Sequence, residues 1–224
     1  MNRTLLQAGL AAAFMTAAAL PAHAVVVGPI FSTGTPSGGV VQSDAIDASD
    51  WVAESFTLQS AATINSIQAY VLSAADSLDA GQTFTVALYG SKPAGGALVP
   101  NLNWNANNQG QLGQFTATYT SNGGWIGQSN LGWSLAAGTY FVAIEIGSAD
   151  GASNLVLPTG VTNAPANVAF YTGGQAYTAD STPAADAFGL TITPLVSAVP
   201  EPSAAALLLA GLAFAGAVAR RRVR

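Results

Sequence analysis

Cysteine is absent from the 224 residues, and histidine occurs once, at His23. No disulfide can staple the fold, and thiol nucleophiles, Cys–His pairs, Ser–His–Asp triads and His-ligated metals lack their residues. Charge is scarce as well, at 8% of residues against roughly 25% in ordinary soluble domains. Positive charge is scarcer still between the two ends: residues 25–197 hold ten carboxylates and one base, Lys92, for a net charge of −9. Such a surface repels phosphate backbones and excludes nucleic acid as a partner. The whole-chain value of −5 hides this, because four of the six basic residues crowd into positions 220–224.

The two ends are built differently from the middle. Arg3 precedes an apolar run from Leu5 to Leu20, which closes on Pro21-Ala22-His23-Ala24. A basic start, a greasy centre and a small-residue A-x-A site are the parts of a secretory signal peptide. Cleavage is expected after Ala24, with Ala22 and Ala24 read by the peptidase, so Met1–Ala24 is a leader and His23 leaves with it. The other end reads Val199-Pro200-Glu201-Pro202-Ser203, then sixteen uncharged residues Ala204–Ala219, then Arg220-Arg221-Arg222-Val223-Arg224. Sixteen helical residues span about 24 Å, short of a ~30 Å hydrocarbon core, so the expected transmembrane helix stands upright with its arginines at the headgroups. The positive-inside rule keeps the basic cluster Arg220, Arg221, Arg222 and Arg224 cytoplasmic and the domain outside. Both ends give one topology.

A Pro-Glu-Pro motif, a short alanine/leucine helix containing Gly211 and Gly216, and a terminal arginine cluster, in that order, resemble the PEP-CTERM sorting signal of Gram-negative bacteria that secrete exopolysaccharide. The resemblance covers about residues 198–224. It implies that Pro200, Glu201 and Pro202 are recognised by an exosortase, a membrane-embedded transpeptidase-like enzyme, so that these residues are a substrate and not an active site. It also implies passage through the secretion machinery and across the inner membrane, a transient membrane anchor, and delivery to the cell surface or the extracellular matrix.

The domain between, 25–197, is long enough to bury a sizeable core. Serine, threonine, asparagine and glutamine number 54 there, beside 21 glycines, the composition of an all-β protein with Asn- and Gly-rich turns. Gln82–Tyr89 places Phe84, Val86 and Leu88 on one face and Thr83 and Thr85 on the other, a half-buried strand. Ile67–Val71 alternates likewise, and Phe115, Ala117 and Tyr119 share a core face. Gly138–Gly147 is apolar on both faces, which suits a central strand covered by a second layer. Further strands are expected at 25–31, 52–58, 154–157, 167–172 and 187–193. Nine or ten short strands predict an antiparallel β-sandwich, jelly-roll-like. The Leu135-x-x-Gly138-x-Tyr140 hairpin resembles those of many secreted β-sandwiches, carbohydrate-binding modules among them.

Three groups of residues are candidates for a site. Glu54 and Glu145, the only glutamates of the domain, are the pair to test for a glycosidase, which needs two carboxylates across a cleft. Each shares strand parity with apolar residues, which points to partial burial. Asp44, Asp47 and Asp50 recur at every third position and offer oxygen ligands for calcium, without the spacing of an EF-hand; a solvated acidic loop is the competing reading, for these and for Asp76 and Asp79. Trp104, Trp125 and Trp133 lie in or beside a loop-rich stretch crowded with asparagine, glutamine and glycine, and are candidates for glycan contact, with core packing as the alternative. Trp51, just before a strand, is expected in the core. The expectation is a non-enzymatic surface or matrix protein with a structural or binding role among exopolysaccharides and no cofactor, with a carbohydrate-binding module or a carboxylate-dependent hydrolase as alternatives.

Overall fold

In the computed structural model, residues 28–38, 46–72, 81–102, 110–120, 123–152, 155–173, 176–195 and 211–212 are described. The strands are β1 (Phe31–Ser32), β2 (Asp50–Leu58), β3 (Ala62–Val71), β4 (Thr83–Ala94), β5 (Ala97–Pro100) and β6 (Gln111–Thr118). They continue with β7 (Gly124–Gln128), β8 (Trp133–Leu135), β9 (Gly138–Glu145), β10 (Val168–Thr172), β11 (Thr178–Ala179) and β12 (Leu190–Pro194), and one turn of helix, α1 (Pro183–Asp186), precedes β12. Every strand pair is antiparallel.

Two sheets result. The first runs β1-β12-β3-β7, with β8 also on β3, and the second runs β11-β10-β2-β9-β4-β5, with β6 also on β4. Their inner faces share one core. Ile67, Ala69, Val71, Leu190 and Ile192 come from the first sheet, and Val52, Phe56, Phe84, Val86, Leu88, Val142 and Ile144 from the second. These are the alternate residues that a period of two places on one face. Phe115, Ala117 and Tyr119 turn to the core as their alternation requires.

The sheets also approach each other at their margins and so come near to closing as a barrel. Phe115 on β6 meets Trp133 on β8 with ring centroids 6.3 Å apart. Gly113 on β6 lies under that indole: a Cβ at 113 would sit 2.7 Å from the ring. The absence of a side chain therefore sets how closely the two margins pack. Central burial fits the glycine-bounded run at 138–147, since β9 lies between β2 and β4 and Phe141 through Glu145 are all buried.

The second sheet covers part of its own outer face. At the end of β4 the pair Gly95-Gly96, with φ of 60° and 91°, makes the two-residue hairpin that matches the strand twist. It sends β5 back along β4, with Ala94 opposite Ala97 and Ser91 opposite Pro100. β5 then lies beside β9, β10 and β11. Trp51, buried on β2, stacks on Tyr171 at 4.3 Å and donates its indole N–H to the Ile146 carbonyl at 3.2 Å, the core role its position predicts.

The structure departs from the expected strands in places. Within the strand expected at 154–157, the described Leu155 and Val156 form two isolated bridges, Ile46 to Leu155 and Leu72 to Val156. The loop-rich stretch 101–132 contains β7, a Gly-rich strand whose pairing with β3 local propensity does not announce. No helix among the described residues is long and apolar enough to cross a membrane, and both expected terminal helices fall almost entirely outside the described residues.

Candidate functional site

Glu54 and Glu145 are both buried, and they face opposite ways. Glu54 on β2 registers with Val142 on β9, so Glu145, three residues further along β9, points to the other face of the same sheet. Glu54 faces the shared core and is fully enclosed. Its Oε1 accepts the backbone N–H of Phe188, and its Oε2 has no hydrogen-bond partner. Burial without a cation drives its carboxyl well above the usual range, and the Phe188 bond offsets only part of that. The site thus favours the protonated form of Glu54.

Glu145 lies on the outer face, beneath the covering loops. Its Oε1 accepts two phenol O–H groups, Tyr89 at 2.9 Å and Tyr177 at 2.9 Å. Burial raises its carboxyl; the hydrogen bonds from Tyr177 and Tyr89 oppose this, and the charge of Asp150 adds to it. Both phenols are held well above the ordinary tyrosine range by burial and then by the adjacent carboxylate. Tyr171 is also raised, by burial and by Glu145. The two tyrosines escaped the sequence reading, although Tyr89 has opposite parity to Phe84, Val86 and Leu88 and was bound to face away from the core. The two glutamates do not form a pair across a cleft.

The described acidic residues serve the backbone. Asp47 Oδ1 accepts from the Ser49 amide at 2.6 Å, the Ser49 hydroxyl at 2.8 Å and the Asp50 amide at 3.0 Å, an Asx turn that launches β2. The hydrogen bonds from Ser49 hold the Asp47 carboxyl below its usual value. Asp150 Oδ2 ties the Gly147 amide at 2.8 Å to the Thr85 hydroxyl at 2.9 Å. Asp180 and Asp186 share Thr182, and the Asp186 carboxyl is raised by burial and then by Asp180. Lys92 donates to the Leu102 carbonyl at 3.0 Å. Among the described residues no three His, Cys, Asp or Glu side chains are grouped to hold a metal ion. Asp44, Asp76 and Asp79 lie outside the described residues.

The candidate tryptophans separate. Trp133 registers with the buried Ile64 and packs on the core beside Phe115. Trp125 registers with Tyr70 and makes an edge-on contact with it, centroids 5.4 Å apart, on the outer face of the first sheet. Trp104 lies outside the described residues, as do Ala22, Ala24, Pro200, Glu201, Pro202, Arg220, Arg221, Arg222 and Arg224.

Around Trp125 the outer face carries an unbroken set of uncharged polar groups. Gln68 and Thr191 face each other across β3 and β12. Hydroxyl pairs bridge neighbouring strands: Ser32 with Thr191 at 3.1 Å, Ser66 with Thr193 at 2.6 Å, and Thr63 with Ser134 at 3.3 Å. None of the strands β1, β3, β7, β8 and β12 contains a charged residue. Asp50, Glu54, Lys92 and Glu145 all fall in the second sheet.

These features define a class: an acidic antiparallel β domain whose buried carboxyls serve its packing. The address lies in the tail, where residues 198–222 match the PEP-CTERM protein-sorting motif. That motif marks an exported protein sorted by an exosortase, with a cell-surface or extracellular destination in a Gram-negative bacterium. No curated protein matches the chain.

Proposed function

We propose that the protein is a non-enzymatic component of the cell surface or extracellular matrix, with a structural or binding role among exopolysaccharides. The sorting motif at 198–222 carries this reading. The leader Met1–Ala24 starts export, the short helix Ala204–Ala219 holds the chain briefly in the membrane with Arg220–Arg224 inside, and exosortase acts at the Pro200-Glu201-Pro202 region. The domain 25–197 is the cargo.

The placement of the glutamates supports a non-enzymatic role, since a glycosidase needs its two carboxyls across one cleft and these occupy opposite faces of one sheet. Strand order supports a jelly-roll cargo. With β7 and β8 counted as one interrupted strand and the additions β5, β10 and β11 set aside, the sheets read first-eighth-third-sixth and second-seventh-fourth-fifth. That is the order two Greek keys produce.

Fractionation of a Gram-negative host with and without its exosortase tests the proposal. The expected result is surface or medium localisation with the enzyme, and retention in the inner membrane without it or in the Pro200→Ala/Glu201→Ala/Pro202→Ala variant. Identical distribution in all three cells would sink the sorting role.

A further inference from the structure

We infer that the outer face of the first sheet binds a neutral polysaccharide, with the edge-to-face pair Trp125 and Tyr70 as the aromatic contact and Gln68, Thr191, Thr193 and Ser32 as the hydrogen-bonding row, Ser66 being buried beneath Thr193 as its hydroxyl partner. The inference deepens the matrix role proposed above and rests on it for the source of the ligand.

The face is unusual in what it lacks. Exposed sheet surfaces carry lysine and glutamate for solubility and to block edge pairing, and here five strands totalling 25 residues carry none. The rest of the domain is strongly acidic, so an anionic polymer is repelled from the molecule as a whole. An uncharged ligand meets no such barrier, and on this face it buries no unpaired ion.

Chemistry supplies the attraction. Each hydroxyl has one hydrogen to donate and two lone pairs. In each bridging pair one hydrogen is used within the pair, so the second hydroxyl keeps its hydrogen; Ser32 Oγ also accepts the Gly34 amide at 3.2 Å, which leaves Thr191 and Thr193 the freer acceptors. Gln68 adds an amide that donates and accepts. Sugar hydroxyls, which do both, match this mixed array, whereas a phosphate only accepts. Trp125 and Tyr70 are partly exposed, lie outside the core cluster and meet edge to face at 86°, so one ring presents its face to the C–H face of a sugar while the other flanks it. From Tyr70 to Ser66 the strand runs about 14 Å, room for a short run of sugar rings.

Two glycines pack closely against this row. Gly127 stands opposite Gln68, and a Cβ there would press to 2.0 Å on the Ile67 carbonyl. Close approach of β7 to β3 thus demands glycine and leaves the amide uncovered on that side. Gly189 lies against Tyr70 and Pro36, where a Cβ would fall within 2.6 Å of the Tyr70 Cβ. Pairing with a second copy of the chain would call for an apolar centre, and the exposed large aliphatic residues described within the domain are Leu112, on β6 of the second sheet, and Leu195, beside β12.

The test is affinity electrophoresis of the domain 25–197, which contains the whole described core. Native gels contain hydroxyethylcellulose, dextran or galactomannan as neutral polymers, or alginate as the anionic one. Retardation is expected in at least one neutral gel and not in alginate. Trp125→Ala and Tyr70→Ala should each weaken it about tenfold, with a smaller loss in Gln68→Ala. Thr57→Val, on the second sheet, should leave it unchanged, and melting temperatures check that the variants are folded. Free migration in every neutral gel, retardation by alginate alone, or neutral binding indifferent to Trp125→Ala and Tyr70→Ala would overturn the inference. A dimer in sedimentation that Trp125→Ala dissolves would also overturn it, by assigning the face to self-association. Surface delivery is read separately by fractionation, so a domain that is delivered but does not bind refutes this face and leaves the sorting role intact.

Discussion

Replacing Glu54 by glutamine should raise the stability of the domain at neutral and alkaline pH and flatten its pH dependence. Burial keeps the folded carboxyl protonated at pH values where the unfolded chain has already ionised it. For a carboxyl raised on folding, this contribution to stability is fully present below the ordinary value of 4.5 and is lost as pH climbs toward the folded value. Across that window each such carboxyl costs about 1.4 kcal/mol per pH unit. A domain of this size shifts its melting temperature by about 2–4 °C per kcal/mol, so Glu54 alone contributes a fall of about 3–6 °C per pH unit. Glu145 acts in the same direction. Glutamine keeps the acceptor for the Phe188 amide, but its NH₂ buries two donors where Oε2 has no partner, a pH-independent cost of about 1–3 kcal/mol. Thermal unfolding followed by circular dichroism from pH 4.5 to 9 reads the effect. The variant should start somewhat below the parent near pH 4.5, gain on it steadily as pH rises and exceed it at neutral and alkaline pH. Parallel pH profiles for the two proteins, or a variant that loses ground as pH rises, would refute the assignment of Glu54 as a buried acid that favours its protonated form.

Other perturbations read single contacts. Tyr177→Phe removes one of the two donors to Glu145 and should cost about 1–3 kcal/mol by chemical unfolding; no change would mean that the Glu145 network adds nothing to stability. Gly113→Ala drives a Cβ into the Trp133 indole and should destabilise by about 1–3 kcal/mol, with partial recovery when Trp133→Phe is added. The absence of recovery would place the strain elsewhere. Asp47→Ala removes the acceptor of three hydrogen bonds ahead of β2 and should lower stability by about 1–2 kcal/mol. With Oδ1 already engaged in the turn, melts in calcium and in chelator should coincide, and a midpoint raised by calcium would restore the metal reading.

Much of the cargo's architecture was legible because its signals are local. Alternation in Thr83–Tyr89 and in Phe115–Tyr119 set the buried faces, and the glycine-bounded apolar run at 138–147 marked the central strand. Less local features were not. β7 is Gly-rich and forms because β3 offers it an edge. Trp125 and Trp133 are eight residues apart in sequence, yet they end on opposite faces of one sheet. Alternation was enough to predict burial for both glutamates, but their separation depends on the register of β2 with β9, which no single strand encodes. The absence of charge from one sheet was visible in the sequence only as scattered neutral segments. It becomes a surface when pairing brings Ser32, Thr191, Gln68 and Trp125 side by side.

The sorting tail is the part of the chain most specific in sequence, and the protein's delivery and processing rest on it. Intact mass of the protein isolated from the surface or medium of an exosortase-bearing host reads that processing. The mature chain should begin at Val25 and lack Arg220–Arg224 after processing near Pro200-Glu201-Pro202. A mature chain that retains the arginine cluster would overturn the exosortase assignment.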